Sequence, residues 1–272
     1  MSGRRNVPLI AGGAITAAMA LAALVSLAWT PYDPRAMADA ARLAAPGLAH
    51  PFGADAYGRD VLSMVLAGAR TALSVATAAA GLGLSVGSAL GLLAAARGGW
   101  VDEAVMRLND VVFAFPALLV AVVLSAALGP GAINAVIAIG VFNIPVFARV
   151  ARGQALSLWA QDYVLAARLA GKGAWRISLE HIAPNLLGGL IVQAAIQLSL
   201  AVVAEAGLSY VGLGVQPPDP SWGRMLAEAQ TLFAQAPWLA LYPGAAVAVT
   251  ALGFSLLGEG LRDRLDPRSG EG

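Results

Sequence analysis

An all-α integral membrane protein with six transmembrane helices is the fold class this sequence predicts, and three observations predict it. Hydrophobic residues make up 58% of the chain and charged residues 12%, about half the ~25% charge of an average soluble domain. The apolar stretches approach the ~20 residues that cross a ~30 Å hydrocarbon core. The remaining cations are nearly all arginine, Lys172 being the only lysine, and they gather on one set of connections. A net charge of +1 with dispersed arginines gives no footprint for nucleic acid. The chain has 0 cysteines, which excludes disulfides, thiolate chemistry and cysteine-ligated metals.

The first span is Val7 to Trp29, behind Arg4 and Arg5. It is longer than a signal-peptide core and ends in Trp29-Thr30-Pro31-Tyr32 without a small-residue cleavage pattern, so it reads as a retained anchor. Residues 30 to 70, rich in Pro and Asp, form a loop outside the membrane. The second span runs from Thr71 to Ala96 and carries Gly83, Gly87 and Gly91 four apart, a stripe that lets a neighbouring helix backbone approach. Arg97 to Asp110 is a charged connector, and Val111 to Leu128 is the third span, with Pro116 near its start. After the turn Gly129-Pro130-Gly131, the fourth span runs from Ala132 to Val150 and is interrupted by Pro145. A polar loop covers 149–184, the fifth span is Leu186 to Ala206, and a second polar excursion covers 207–237. In it, Asp219-Pro220-Ser221 supplies the N-cap and first turn of a short helix reaching Phe233. Trp238 to Leu257 is the sixth span, followed by a basic tail with Arg262, Arg264 and Arg268. The chain thus divides into an anchor and outer loop (1–70), a core (71–260) and a tail (261–272).

Six spans put both termini on one side, and that side collects twelve of the seventeen Arg and Lys residues. The positive-inside rule makes it cytoplasmic and turns the loops at 30–70 and 207–237 outward. The chain is then a multi-pass protein of a bacterial cytoplasmic (inner) membrane.

No catalytic constellation is visible. His50 and His181 are the only histidines, too few for a metal site, and the serines within spans have no base at helical spacing to activate them. Nor is there the mid-membrane charge that an ion-driven transporter places along its path; Asp110 and Glu205 lie near span ends. The energy for any transport comes from elsewhere. Uncharged polar side chains do occur inside spans. Gln193 and Gln197 share a face of the fifth helix, and Asn134 and Asn143 lie in the fourth. They read either as interhelical hydrogen bonds, ~0.6–2 kcal/mol each, or as the lining of a hydrated passage.

The loop at 149–184 is the natural docking place for a soluble partner. Asp162 puts a carboxylate at a helix N-terminus, with Tyr163 beside it, and Gly171 can take the left-handed conformation that ends a helix. Ala166, Ala167 and Ala170 offer a low-relief surface, and Lys172, Trp175 and Arg176 add charge and an aromatic anchor. An amphipathic connector lying on the membrane is the plainer alternative.

These residues resemble the EAA loop of ABC-importer membrane subunits, whose pattern is Glu-Ala-Ala, three residues, Gly, nine residues and a terminal Ile-x-Leu-Pro. Ala166, Ala167, Gly171 and Pro184 match at the family spacing; Leu165 replaces the glutamate, His181 the isoleucine and Ala183 the leucine. His50-Pro51-Phe52-Gly53-Ala54-Asp55 through Gly58-Arg59-Asp60 to Ser63 resembles the outer-loop signature of the C-type permease of dipeptide, oligopeptide and nickel importers. So does Ala204-Glu205-Ala206-Gly207-Leu208-Ser209 through Gln216-Pro217-Pro218, with Pro220-Ser221-Trp222-Gly223 after it. The resemblance implies a type I importer permease that pairs with a B-type permease around a translocation path. It further implies two ABC ATPase subunits gripping the EAA loops, and an extracytoplasmic solute-binding protein on the outer loops. This chain itself would hold no cofactor, ATP being bound by the partner subunits. The rival readings from composition are a stand-alone secondary transporter or channel and, less well supplied with residues, an intramembrane enzyme.

Overall fold

The protein is described by a computed structural model covering residues 7–37 and 40–265. Arg4, Arg5 and Arg268 lie outside the described residues. Among the described residues ten α-helices carry the fold: α1 (Val7–Ala28), α2 (Val61–Arg97), α3 (Gly99–Ala114), α4 (Ala117–Leu128), α5 (Ala132–Trp159), α6 (Asp162–Leu169), α7 (Ala174–Ile177), α8 (Ala183–Tyr210), α9 (Trp222–Ala229) and α10 (Trp238–Leu265). A π-helical turn, Ser178–Ile182, joins α7 to α8, so Ala174–Tyr210 is one continuous helical rod. Five of these rods are long and apolar enough to cross a membrane, or six if the bent pair α3 and α4 counts as one span.

Several boundaries differ from the sequence reading. The helix α2 starts at Val61, not Thr71, because Asp60 caps it: the carboxylate accepts the Ser63 N–H at 2.8 Å and the Ser63 hydroxyl at 2.7 Å. With 37 residues it is about 55 Å long, well over the ~30 Å hydrocarbon core. The charged connector 97–110 is largely helix α3, and the third span is broken into two helices bent by 82°. Proline explains the break: Pro116 offers no N–H to the helix and pushes Phe115 into extended backbone, φ −98° and ψ 127°. Pro145, by contrast, sits buried inside an uninterrupted α5, as membrane helices tolerate when neighbours pack around the freed carbonyl. Helix α10 runs on to Leu265 and absorbs Arg262 and Arg264 of the expected tail.

Small residues set the packing. A Cβ on Gly83 would lie 2.4 Å from Asn143 Cβ, on Gly87 2.4 Å from the Ile144 carbonyl oxygen, and on Gly91 2.4 Å from the Ala148 carbonyl oxygen. The glycine stripe therefore brings α2 backbone-close to α5. Helix α8 lies against α2, α5 and α10, and α1 straps onto α10. Two apolar clusters result. The larger holds Val61, Met64, Val202, Trp222 and Leu239; the smaller, at the α6 end, holds Phe147, Val164, Ile177, Ile182 and Leu186.

Candidate functional site

At the α6 end, helix α5 continues past the expected span to Trp159, and the non-helical breaks are confined to residues near 160–161 and 170–173. Asp162 occupies the first turn of α6. Its C-terminus is a Schellman motif: Lys172 N–H reaches the Ala167 carbonyl at 3.1 Å and Gly171 N–H the Arg168 carbonyl at 2.9 Å. Gly171 supplies the left-handed turn, φ +81°, a conformation that L-residues enter at a cost. The three alanines expected on one surface separate here. Ala167 is buried beside Val164 in the smaller core, whereas Ala166 and Ala170 are exposed. The spacing explains it, because 164 and 167 lie one turn apart on the inward face. The outward face carries Leu165, 55% exposed, and Leu169, 83% exposed, while Tyr163 sits on the flank with its ring edge-on to His181. Leucines stand where a solvated helix would place charge.

The cations of this loop are partly engaged within the chain. Glu180 accepts from Arg176 Nε at 2.5 Å and from Lys172 Nζ at 2.6 Å, and it lies in the helical overhang ahead of the apolar part of the rod. Those hydrogen bonds, the Arg176 one first, hold its carboxyl well below the usual carboxylate range. Lys172 Nζ also lies 3.0 Å from His181 Nε2. The sequence reading misses Glu180, although its spacing from Arg176 is that of a helical ion pair. Trp175 stays 65% exposed. Nearby, Asp102 of α3 takes Arg152 of α5 in a two-point carboxylate–guanidinium contact at 2.5 Å, and Arg149 reaches Asp110 at 2.7 Å.

The four amides expected along a passage do not form one lining. Gln197 Nε2 donates to Asn143 Oδ1 at 2.9 Å, and both residues are buried, joining α8 to α5. Asn134 sits apart, its amide donating to the Gly129 carbonyl and closing the turn before α5. Gln193, one turn from Gln197, lines a groove of about 750 Å³ between α5, α8 and α10 at the α6 end.

The opposite end is closed by the outer loop and the 211–237 excursion. Trp222, in the first turn of α9, is wholly buried. Its indole N–H donates to the Val65 carbonyl at 2.9 Å, and the ring lies in the notch at Gly68, where a Cβ would be 2.6 Å away. Gly223 passes so close to α8 that a Cβ would meet the Ala206 oxygen at 1.9 Å. Buried Glu205 accepts the Ser209 hydroxyl at 2.7 Å, and Ser209 Oγ accepts the Val215 N–H at 3.1 Å, pinning the excursion to α8. Arg59 joins the two loops by bonding Asp55 at 2.5 Å and Glu228 at 2.8 Å, and Arg35 pairs with Asp219. The sequence reading places the N-cap and first turn of this short helix in Asp219-Pro220-Ser221; the structure makes Ser221 the N-cap and ends α9 at Ala229. That reading misses both the Asp60 cap and the partners across more than 150 positions.

Comparison with known proteins adds to this geometry. Residues 87–271 match the family described as "Binding-protein-dependent transport system inner membrane component". The chain is 40% identical over 261 residues to the glutathione transport system permease protein GsiD of Pectobacterium atrosepticum, covering 94% of this chain and 87% of that one. It is 40% identical over 227 residues to the dipeptide transport system permease protein DppC of Alkalihalophilus pseudofirmus, covering 84% and 75%. Against the probable D,D-dipeptide transport system permease protein DdpC of Escherichia coli the figure is 38% over 267 residues, covering 98% and 90%.

Proposed function

This chain belongs to the binding-protein-dependent transport system inner membrane components, and from that membership we propose that it forms half of the translocation path of an ATP-driven importer for short peptides or glutathione-like solutes. It is a multi-pass permease subunit of the cytoplasmic membrane, which sets aside the stand-alone transporter. In the proposed assembly a second, B-type permease completes the path, and two ATPase subunits bind the ATP. The α6 end faces the cytoplasm, as the arginine bias favours, and a solute-binding protein seats on the end closed by Trp222. Closure of the ATPases on ATP moves α6, and the rod Ala174–Tyr210 carries that motion into the membrane; hydrolysis resets it.

The observation that carries this reading is the outward face of α6. Val164 and Ala167 fasten the helix to the permease core, while Leu165 and Leu169 stand exposed on the other side. An apolar pair on a helix outside the lipid span suits a desolvated cleft on a partner protein, and Leu165 in place of the family glutamate makes that contact apolar rather than ionic. The test is to coexpress the ATPase subunits with the chain carrying Leu165→Asp and Leu169→Asp, then to purify by a tag on the chain. Membrane insertion is expected to persist while ATPase recovery falls at least about tenfold, the effect of losing ~1.4 kcal/mol or more. Normal ATPase stoichiometry with the doubly substituted chain would remove α6 as the docking element.

A further inference from the structure

We infer that the groove between α5, α8 and α10 is a site for the carboxylate end of the travelling solute, with Arg262 as its charged contact and Gln154 and Gln193 as amide contacts. The inference rests on the permease reading above and adds to it a ligand chemistry and named residues. The groove encloses about 750 Å³, inside the ~300–1,000 Å³ range of small-molecule pockets. Its lining includes Gln154, Ser157, Asn185, Gln193 and Arg262, and no acidic side chain.

The position of each group explains the choice of anion over cation. Gly189, between Asn185 and Gln193 on α8, leaves room for the Gln154 amide, since a Cβ there would lie 2.0 Å from Gln154 Nε2. Removing that Cβ lays the Gln154 side chain along the groove floor. Asn185 is partly committed, donating to the His181 carbonyl at 2.6 Å, and Gln193 Nε2 makes a long contact with Gln197 Oε1 at 3.4 Å, which leaves its second N–H for the groove. Arg262 comes from the last turns of α10, and among the described residues no carboxylate pairs with it. Arg149 and Arg152 of α5 are each held by an aspartate, whereas Arg97, Arg107 and Arg264 share with Arg262 the lack of a carboxylate partner among the described residues; of these four, Arg262 lines the groove. A groove with one uncommitted guanidinium, two amides and no acid favours a carboxylate and disfavours an ammonium. A second groove on α8, about 510 Å³ between α2, α8 and α10, is lined almost wholly by Leu, Ile and Ala. That apolar side suits lipid tails, which leaves the α5 side for a hydrated solute.

Because the chain has 0 cysteines, one reporter thiol can be placed at Val192→Cys, an apolar lining position. The full complex in phosphatidylcholine nanodiscs is labelled with 2-sulfonatoethyl methanethiosulfonate or its cationic trimethylammonium-ethyl analogue, each rate divided by that with free 2-mercaptoethanol. The anionic reagent is expected to be favoured by about threefold to fivefold, the scale of one exposed ion pair. Arg262→Gln erases that preference and Arg262→Lys keeps most of it. Millimolar dialanine slows labelling, and dialanine amide does not. A thiol closed to both reagents, a preference that survives Arg262→Gln, or equal protection by acid and amide would each overturn the site. So would slowing by phosphatidylglycerol in the discs without slowing by dialanine, which would assign the anion to a lipid phosphate. ATPase stimulation measured in the same discs reports separately on the permease reading.

Discussion

Trp222 at one end of the bundle is fully buried, and its indole N–H is bonded to Val65; Trp175 at the other end is 65% exposed. The contrast extends to their neighbours. Around Trp222, glycines at 68 and 223 admit close contacts, and Glu205 and Arg59 each secure a second loop. Around Trp175, α6 is attached through Val164 and Ala167 and leaves Leu165 and Leu169 uncovered. The two tryptophans are held differently, one buried by the chain's own residues and one left outside them, although both ends carry exposed apolar side chains: Val211 at 52% and Phe233 at 59% beside the first, Leu165 at 55% and Leu169 at 83% beside the second.

The largest effect expected from this contrast lies at Trp222. Trp222→Ala removes a fully buried aromatic and its hydrogen bond, and it is expected to cost about 3–5 kcal/mol. Trp175→Ala in the isolated subunit is expected to stay within ~0.5 kcal/mol, as for exposed positions generally. Denaturant titration of the two variants in mild detergent measures both. Equal losses would erase the distinction between a closed and an open end.

A sharper division comes from Glu205. Its carboxylate takes the Ser209 hydroxyl, which in turn takes the Val215 N–H, so the start of the excursion is held through one buried carboxyl. Glu205→Ala leaves the buried Ser209 hydroxyl without its acceptor, freeing the Oγ that holds the Val215 N–H, and is expected to cost about 1–3 kcal/mol. Glu205→Gln keeps an oxygen acceptor and is expected to retain most of the stability. Limited proteolysis within residues 211–221 reads the outcome directly: accelerated cleavage in Glu205→Ala alone marks the pin, and unchanged cleavage in both variants removes it.

Features that depend on short spacing are legible in the amino-acid sequence. The glycine stripe of α2, the start of α6 at Asp162, the left-handed turn at Gly171 and the capping Ser221 all follow from residues within a turn or two of each other. Features that depend on distant partners are not legible there. Asp102 meets Arg152 across 50 positions and Arg59 meets Glu228 across 169, and nothing local distinguishes them from solvated charges. Burial of Ala167 and exposure of Ala166 share the same cause, because the sequence shows a run of small residues while the packing of Val164 decides which way the run faces. The bend at Phe115-Pro116 is legible as a proline but not as a break, since Pro145 in the same kind of surroundings leaves α5 whole. Of the four amides, periodicity joins Gln193 to Gln197 correctly but cannot tell that Asn143 is bonded to Gln197 while Asn134 serves a turn.

The smallest expected effect tests how the closed end is held. Arg35 and Asp219 sit 51% and 45% exposed, so their pairing joins the outer loop to the excursion in contact with water. Such pairs contribute ~0.2–1 kcal/mol, and at 1 M salt the Debye length shrinks to ~3 Å, which screens them. Arg59 and Glu228 make the same loop-to-excursion link with the arginine only 15% exposed and with Asp55 as a second acceptor, so its coupling is expected to be larger and to survive salt better. Double-mutant cycles on Arg35→Ala with Asp219→Ala, and on Arg59→Ala with Glu228→Ala, measured at low and high salt, separate the two. If the exposed pair couples as strongly as the half-buried one and resists salt, the closed end is held by charge at its rim. The structure instead places its strength beneath the rim, in Trp222, Gly223 and Glu205.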